Sequence, residues 1–225
     1  MSMTSDVSPR PRRSAGFAEA ASPRELPTTP RGLRTRARLV EAARVVFERD
    51  GFLDARLVDI TGEAGISAGS FYTYFDSKEE VFLAVLTEVE HEMLHPDVRN
   101  VPQGDDPIES IRASNRGYLE SYERFARFMG LLEQVASIDD DFRERRRKRG
   151  EAFVQRNARS IRQLQEKGIA GSDVDAFLAA SFLSGMVARA AYARFVLGET
   201  WDIDAMVETL TQLWVDALKI SVPSS

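Results

Sequence analysis

Residues 57–78 read LVDITGEAGISAGSFYTYFDSK, and the spacing of their apolar side chains decides the fold. Leu57, Ile60 and Ala64 recur at helical intervals, which predicts a short helix with one apolar face. Gly65 ends it, because glycine takes the left-handed backbone that closes a helix without a Cβ penalty. Ile66 plugs inward between this helix and the next. Ser67 is placed to cap the second helix, its side-chain oxygen accepting from first-turn amides. That helix shows small residues first (Ala68, Gly69, Ser70) and aromatics afterwards (Phe71, Tyr72, Tyr74, Phe75). Small residues let a helix start approach another surface closely, and tyrosine hydroxyls and main-chain amides suit phosphate. This is the layout of a helix-turn-helix whose second helix enters a DNA major groove. Four successive positions cannot all face inward. Phe71 and Phe75 are assigned to the core and Tyr72 to the outside, and Tyr74 fits either place.

The charge distribution agrees with a phosphate partner only when it is divided along the chain. The net charge of the 225 residues is −5. Residues 1–40 carry eight arginines against Asp6, Glu19 and Glu25, a local balance of +5, whereas the remainder carries 22 basic against 32 acidic side chains, −10. Local charge, not the chain total, governs attraction to a polyanion, and the positive end adjoins the helix-turn-helix. The chain has no cysteine, which excludes disulfides, thiolate metal sites and a cysteine nucleophile and fits a reducing, cytoplasmic setting. No apolar run at the N-terminus resembles a signal peptide. The longest apolar stretch, 176–197, is interrupted by Arg189 and Arg194, and reads as a core helix, not a membrane span.

Residues 1–30 hold five of the nine prolines and read as a disordered basic arm. Arg10, Arg12 and Arg13 suit either a phosphate backbone or plain solvation. A first helix is expected over about 32–50, striped by Leu39, Ala42, Ala43, Val46 and Phe47 and ended by Gly51. Arg34, Thr35, Arg36 and Arg38 crowd its first turns, where cations oppose the helix dipole and a phosphate would offset them. After the two short helices comes a long one, about 77–95, whose Ser77 and Glu80 have capping-box spacing. Residues 96–107 hold three prolines and read as a loop. Everything beyond is helical, with segments near 107–122, 123–138, 140–167, 173–197 and 203–222. The basic run Arg145 to Arg149 lies just downstream of Asp139, Asp140, Asp141 and Glu144, which favours a self-paired helix surface over a nucleic-acid site. The last two helices are apolar around much of their circumference, which calls for a core on one side and a partner subunit on the other. The fold class is therefore all-α, with a basic arm over 1–30, a three-helix helix-turn-helix domain with its linker helix over 31–95, and a helical domain over 96–225.

Residues 33–90 resemble the DNA-binding domain of the TetR family of transcriptional regulators. The likeness runs through AARVVFERDGF, then DI and AGIS, then G-S-F-Y-x-Y-F-x-S-K-E-E-V. It implies a homodimer that sets two recognition helices in successive major grooves of a pseudo-palindromic double-stranded operator. It also implies a C-terminal ligand-binding and dimerisation domain whose small-molecule effector moves the long helix and releases the DNA. Carried over by position, Ser67, Gly69, Ser70 and Tyr72 would meet the backbone or nearby bases, and Thr73 and Tyr74 base edges or phosphates. Lys78 and Thr35 would each donate to a phosphate. Arg56 stands where the family usually has a Thr or Ser cap, and Ala68 where a polar or basic residue is frequent. No membrane partner and no cofactor are implied.

One other motif competes. His91-Glu92-x-x-His95 spells HExxH, the zinc hydrolase signature. These are the only histidines, so a third ligand would have to be a carboxylate such as Glu109, Glu120 or Glu123. Pro96 also puts His95 on the last turn of its helix. Surface histidines at a helix C-terminus are the favoured reading, no metal site is assigned, and no catalytic residue is. For an effector, Phe125, Phe128, Met129 and Leu132 on one helix, with Phe182 and Met186 on another, are the candidate lining of a pocket for a lipophilic ligand. Arg189, with Arg116, is the candidate anchor for a polar end.

Overall fold

A computed structural model describes residues 25–94 and 106–221; the basic arm's Arg10, Arg12 and Arg13, most of the 96–107 loop, and His95 lie outside them. Among the described residues the chain is all helix: α1 (Pro30–Asp54), α2 (Leu57–Glu63), α3 (Ala68–Phe71), α4 (Lys78–Leu94), α5 (Pro107–Arg124), α6 (Ala126–Ile138), α7 (Asp140–Glu166), α8 (Ala176–Phe195) and α9 (Ile203–Leu218). It is an N-terminal helix-turn-helix domain followed by a helical C-terminal one.

The helix starts are set by side chains that take up the free amides of the first turn. Thr29 accepts from Gly32 N–H and Pro30 sits at the first helical position, so α1 begins two residues earlier than its apolar stripe suggests. Gly51, at φ 81°, breaks α1 where the sequence places its end, but the chain resumes a turn that reaches Asp54. Ser77 accepts from Glu80 N–H at 3.1 Å while the Glu80 carboxylate accepts from Asp76 N–H at 2.5 Å, a reciprocal cap at the head of α4. Asp106, Asp139, Asp175 and Asp202 each accept from a first-turn amide at the head of α5, α7, α8 and α9.

One continuous buried cluster runs from Leu39 on α1 to Leu218 on α9. Its centre is Phe82 on α4, fully buried. Phe82 meets Phe47 and Phe52 of α1 at ring-centroid distances of 5.1 and 4.9 Å, and Phe128 of α6 and Phe142 of α7 at 5.3 and 5.5 Å. α8, long and apolar enough by composition to cross a bilayer, packs against α5, α6, α7 and α9. Within the basic run of α7, Arg147 pairs with Glu144 and Glu151 and Lys148 with Glu144, whereas Arg146 reaches across to Glu133 of α6.

Phe82→Ala removes a ring that touches α1 on one side and α6 and α7 on the other. It is expected to lower unfolding free energy by about 3–5 kcal/mol, read from urea denaturation of the full chain.

Candidate nucleic-acid interface

α1 holds the helix-turn-helix from behind. Arg38 Nη2 donates to Ala64 O at 2.5 Å and so closes the C-terminus of α2. Gly65 follows at φ +62°, and Ile66 N–H reaches back to Thr61 O at 3.0 Å. A Cβ at position 65 would stand 3.2 Å from the Arg38 guanidinium, so the glycine serves both the backbone and the close approach. At the other end of α2, Arg56 provides no side-chain cap; its guanidinium instead grips Asp59 by two bonds of 2.7 and 2.9 Å. The acid in the first turn complements the helix dipole in place of the missing hydroxyl.

α3 is a single turn, shorter than its sequence pattern suggests, and residues 72–74 continue it as a hydrogen-bonded turn. Ser67 does not cap it through its side chain: its Oγ lies 2.8 Å from Ser70 Oγ, and its carbonyl accepts from Ser70 N–H. Phe71 and Phe75 are fully buried, with ring centroids 5.7 Å apart and Arg36 stacked over Phe75 at 4.9 Å. Tyr72 is 54% exposed, and Ser67, Gly69 and Thr73 are exposed beside it. Ser70 is half-buried, and Tyr74 is half-buried against the core. Thr35 sits half-buried on α1 with its hydroxyl donating to Arg31 O at 3.0 Å, between the exposed Arg31 and Arg34.

Lys78 corrects the sequence reading. Its ammonium donates to three main-chain oxygens, Phe52 O at 2.8 Å, Leu53 O at 3.1 Å and Ala55 O at 3.1 Å, and lies 4.8 Å from the centre of the Phe52 ring. Desolvation pulls its pKa below the usual lysine value. All three protons are spent on closing α1, so its role is to pin α4 to α1, not to reach a phosphate.

Residues 39–85, which span most of α1 through the first half of α4, match the family model of bacterial regulatory proteins, tetR family. The chain is 24% identical over 200 residues to the HTH-type transcriptional regulator TtgR of Pseudomonas putida, covering 83% of this chain and 92% of that one. It is 30% identical over 146 residues, 60% of this chain and 66% of that one, to the uncharacterized HTH-type transcriptional regulator YfiR of Bacillus subtilis. The chain belongs to the TetR family. The fold extends the likeness beyond the matched domain. The transcriptional regulator FadR from Bacillus subtilis, solved in complex with stearoyl-CoA, superposes with a TM-score of 0.68 at 14% identity over 80% of this chain and 97% of that one.

The helices from α4 onward line two cavities. The larger, about 620 Å³, is walled by α4, α5, α7, α8 and α9. Ile111, Asn115 and Tyr118 face it from α5, and Phe153, Asn157 and Ile161 from α7. None of the seven candidate ligand residues lines it. Phe125, Phe128 and Leu132 are core, because α6 turns that face onto α1 and α4. Phe182 is 72% exposed on the outside of α8, and Met186 packs against the core. Met129 and Arg189 line a second cavity of about 440 Å³, with Tyr122, Tyr192 and the Glu133–Arg146 pair. Tyr118 stands between the two, and burial pushes its hydroxyl up to about 12, so it remains a neutral phenol. Arg116 pairs with Asp204 of α9 at 2.6 Å. The missed signal was an asparagine set within each apolar stripe, at i+4 from Ile111 on α5 and from Phe153 on α7.

Of the HExxH motif, Glu92 lies 3.5 Å from Arg124 of α5, and His95 is outside the described residues. Among the described residues no group of three metal-ligating side chains comes together.

Lys78 and Arg34 therefore separate by measurement. Lys78→Met should cost about 1–3 kcal/mol of stability by stranding buried carbonyls, with the salt dependence of DNA binding unchanged. Arg34→Ala should leave the melting temperature in place and reduce the slope of log affinity against log salt by about one.

Proposed function

We propose that the chain is a cytoplasmic, ligand-responsive repressor that binds a pseudo-palindromic operator as a homodimer and is released by a small apolar effector. The observation that carries the reading is the shape of α3 and its turn. Phe71 and Phe75 fix it from inside while Ser67, Gly69, Tyr72 and Thr73 stand exposed on the other side. A surface held so rigidly, with small residues at its leading edge and hydroxyls behind, suits a major groove. Ser70, Tyr74 and Thr35, half-buried at its margin, are the remaining proposed contacts.

The dimer is supported by the outer faces of the last two helices. Leu178 and Phe182, one turn apart on α8, are 51% and 72% exposed, and Leu213 is exposed on α9, which packs against α8. Large apolar side chains left exposed on two packed helices favour a self-complementary two-fold contact. The effector is supported by the 620 Å³ cavity and by Met93, through which α4 itself forms part of its wall. The stearoyl-CoA bound to the FadR neighbour shows that this fold accommodates a small molecule.

The experiment is a gel shift of the full chain on the DNA upstream of its own gene. Salt-sensitive, sequence-dependent retardation is the expected result; its absence would sink the repressor reading. A ligand-induced loss of the shifted band distinguishes an effector-released repressor from a DNA-binding protein whose C-terminal domain only dimerises. Phe182→Asp should convert the dimer to a monomer in sedimentation and weaken operator binding by about 100-fold or more, because the second half-site loses its tethered partner.

A further inference from the structure

The smaller cavity, about 440 Å³, gathers ionised and hydroxyl-bearing side chains from four helices. Tyr118 and Tyr122 reach it from α5, Met129 and Glu133 from α6, Arg146 from α7, and Arg189 and Tyr192 from α8. Glu133 is spent on Arg146, whose two terminal nitrogens each donate to one of its oxygens. Those bonds hold the Glu133 carboxyl below its usual range, so it stays ionised and its charge cancels that of Arg146. Arg189 has no acid partner among the described residues; its guanidinium lies 5.5 Å from the centre of the Tyr192 ring. Two arginines against one glutamate leave the wall one positive charge in excess.

The tyrosines add donors. Tyr122 is 3% exposed and Tyr118 half-buried, and no hydrogen bond within the described protein uses either hydroxyl. Among the described residues the one sealed side-chain polar atom without a partner is the indole nitrogen of Trp214, so both hydroxyls keep accessible surface. For a side chain as buried as Tyr122, that surface is the cavity it lines. Burial keeps the Tyr122 phenol protonated, and Tyr118, Glu133, Arg146 and Tyr192 all lie close enough to act on it electrostatically. Two neutral phenol donors and one unpaired guanidinium are what a buried carboxylate needs to offset its lost hydration. A phosphate dianion would bring a second negative charge that the wall does not balance.

We propose that the smaller cavity binds a monocarboxylate carrying an aromatic ring, its carboxylate held by Arg189 and by the Tyr122 and Tyr118 hydroxyls. The ring packs against the tyrosine rings and the Met129 thioether. The volume falls in the range of ligand pockets. The site is separate from the effector reading of the larger cavity and does not depend on it. Tyr118 is the one side chain that lines both.

The test uses the full chain at neutral pH and three probes: cinnamate, cinnamamide, which has the same ring without the charge, and hexanoate, which has the charge without the ring. Calorimetry gives affinities, and methyl proton–carbon spectra follow the methionines, with Met129→Leu and Met93→Leu assigning one signal at each cavity. Cinnamate should bind about 10-fold more tightly than either other probe. It should move the Met129 methyl more than that of Met93, which borders the larger cavity. Arg189→Met alters an exposed side chain and should bring the acid and the amide to equal affinity. Tyr122→Phe, which keeps the ring and deletes the donor, should weaken cinnamate about 5-fold and cinnamamide less. The spectra are taken on the unmodified chain, so they stand even where a variant fails to fold. The chain is tested in its own oligomeric state, so an acid of a second copy that claimed Arg189 would abolish the preference for cinnamate over cinnamamide. Loss of that preference, an acid preference that survives Arg189→Met, an unmoved Met129 methyl, a larger shift at Met93, equal binding of hexanoate, or no binding of any probe overturns the proposal. The gel shift is read separately, and none of these outcomes bears on the DNA-binding role.

Discussion

Phe82 is the side chain on which both halves of the molecule close. Its ring takes two rings from α1 on one side and one each from α6 and α7 on the other, all within 5.5 Å between centroids. Close-packed interiors transmit displacement because no void absorbs it. A shift of α4 along or about its axis therefore moves the contacts of α1, and with them the helix-turn-helix that α1 supports through Arg38.

The two ends of α4 are built for different tasks. Its head is immobilised by the Ser77–Glu80 cap and by Lys78, whose ammonium ties it to three carbonyls of α1 and its tail. Toward its other end, Met93 borders the large cavity. Eleven residues separate Met93 from Phe82, about 16 Å along a helix. Occupancy of the cavity can act on α3 only by favouring one position of this rod over another, since a ligand shifts an equilibrium by its differential affinity alone. A fixed head and a cavity-facing tail are the arrangement in which a small difference at Met93 reaches α1 without being lost at a loose joint.

The turn around Gly65 was legible in the sequence because each residue there answers a local constraint. Gly65 needs a positive φ, Phe71 and Phe75 need burial, and Tyr72 is left outside by helix geometry. Lys78 was misread for the converse reason. A lysine at the start of a helix beside a DNA-binding turn invites a phosphate, and only the three-dimensional path of residues 52–55 shows that carbonyls reach it first. The cavity was illegible for a related reason. Apolar stripes on α6 and α8 state that those faces are buried, not against which neighbour. Phe128 is drawn to Phe82, whereas Phe182 faces outward. Asn115 and Asn157 depart from the stripes of α5 and α7, but their partners Thr211 and Ser184 lie on helices about 96 and 27 residues away in sequence, a pairing that no local pattern records.

The brevity of α3 bears on how such a protein reads DNA. Four residues make one turn, too few to be stable as an isolated helix. Its conformation is imposed by the two buried phenylalanines, by Gly65 and by the Ser67–Ser70 contact, so the groove-facing side chains are positioned by the core beneath them. That transfers the burden of specificity. With Ala68 and Gly69 at its leading edge, the turn offers few side chains to base edges, and the remaining hydroxyls of Ser67, Tyr72 and Thr73 suit phosphates as well as bases. In the proposed operator-bound dimer, discrimination between operators would rest on the spacing of two copies of α3 and on the width of the groove they enter as much as on base contacts. In the proposed repressor the position of α4, whose Met93 borders the cavity, would set that spacing.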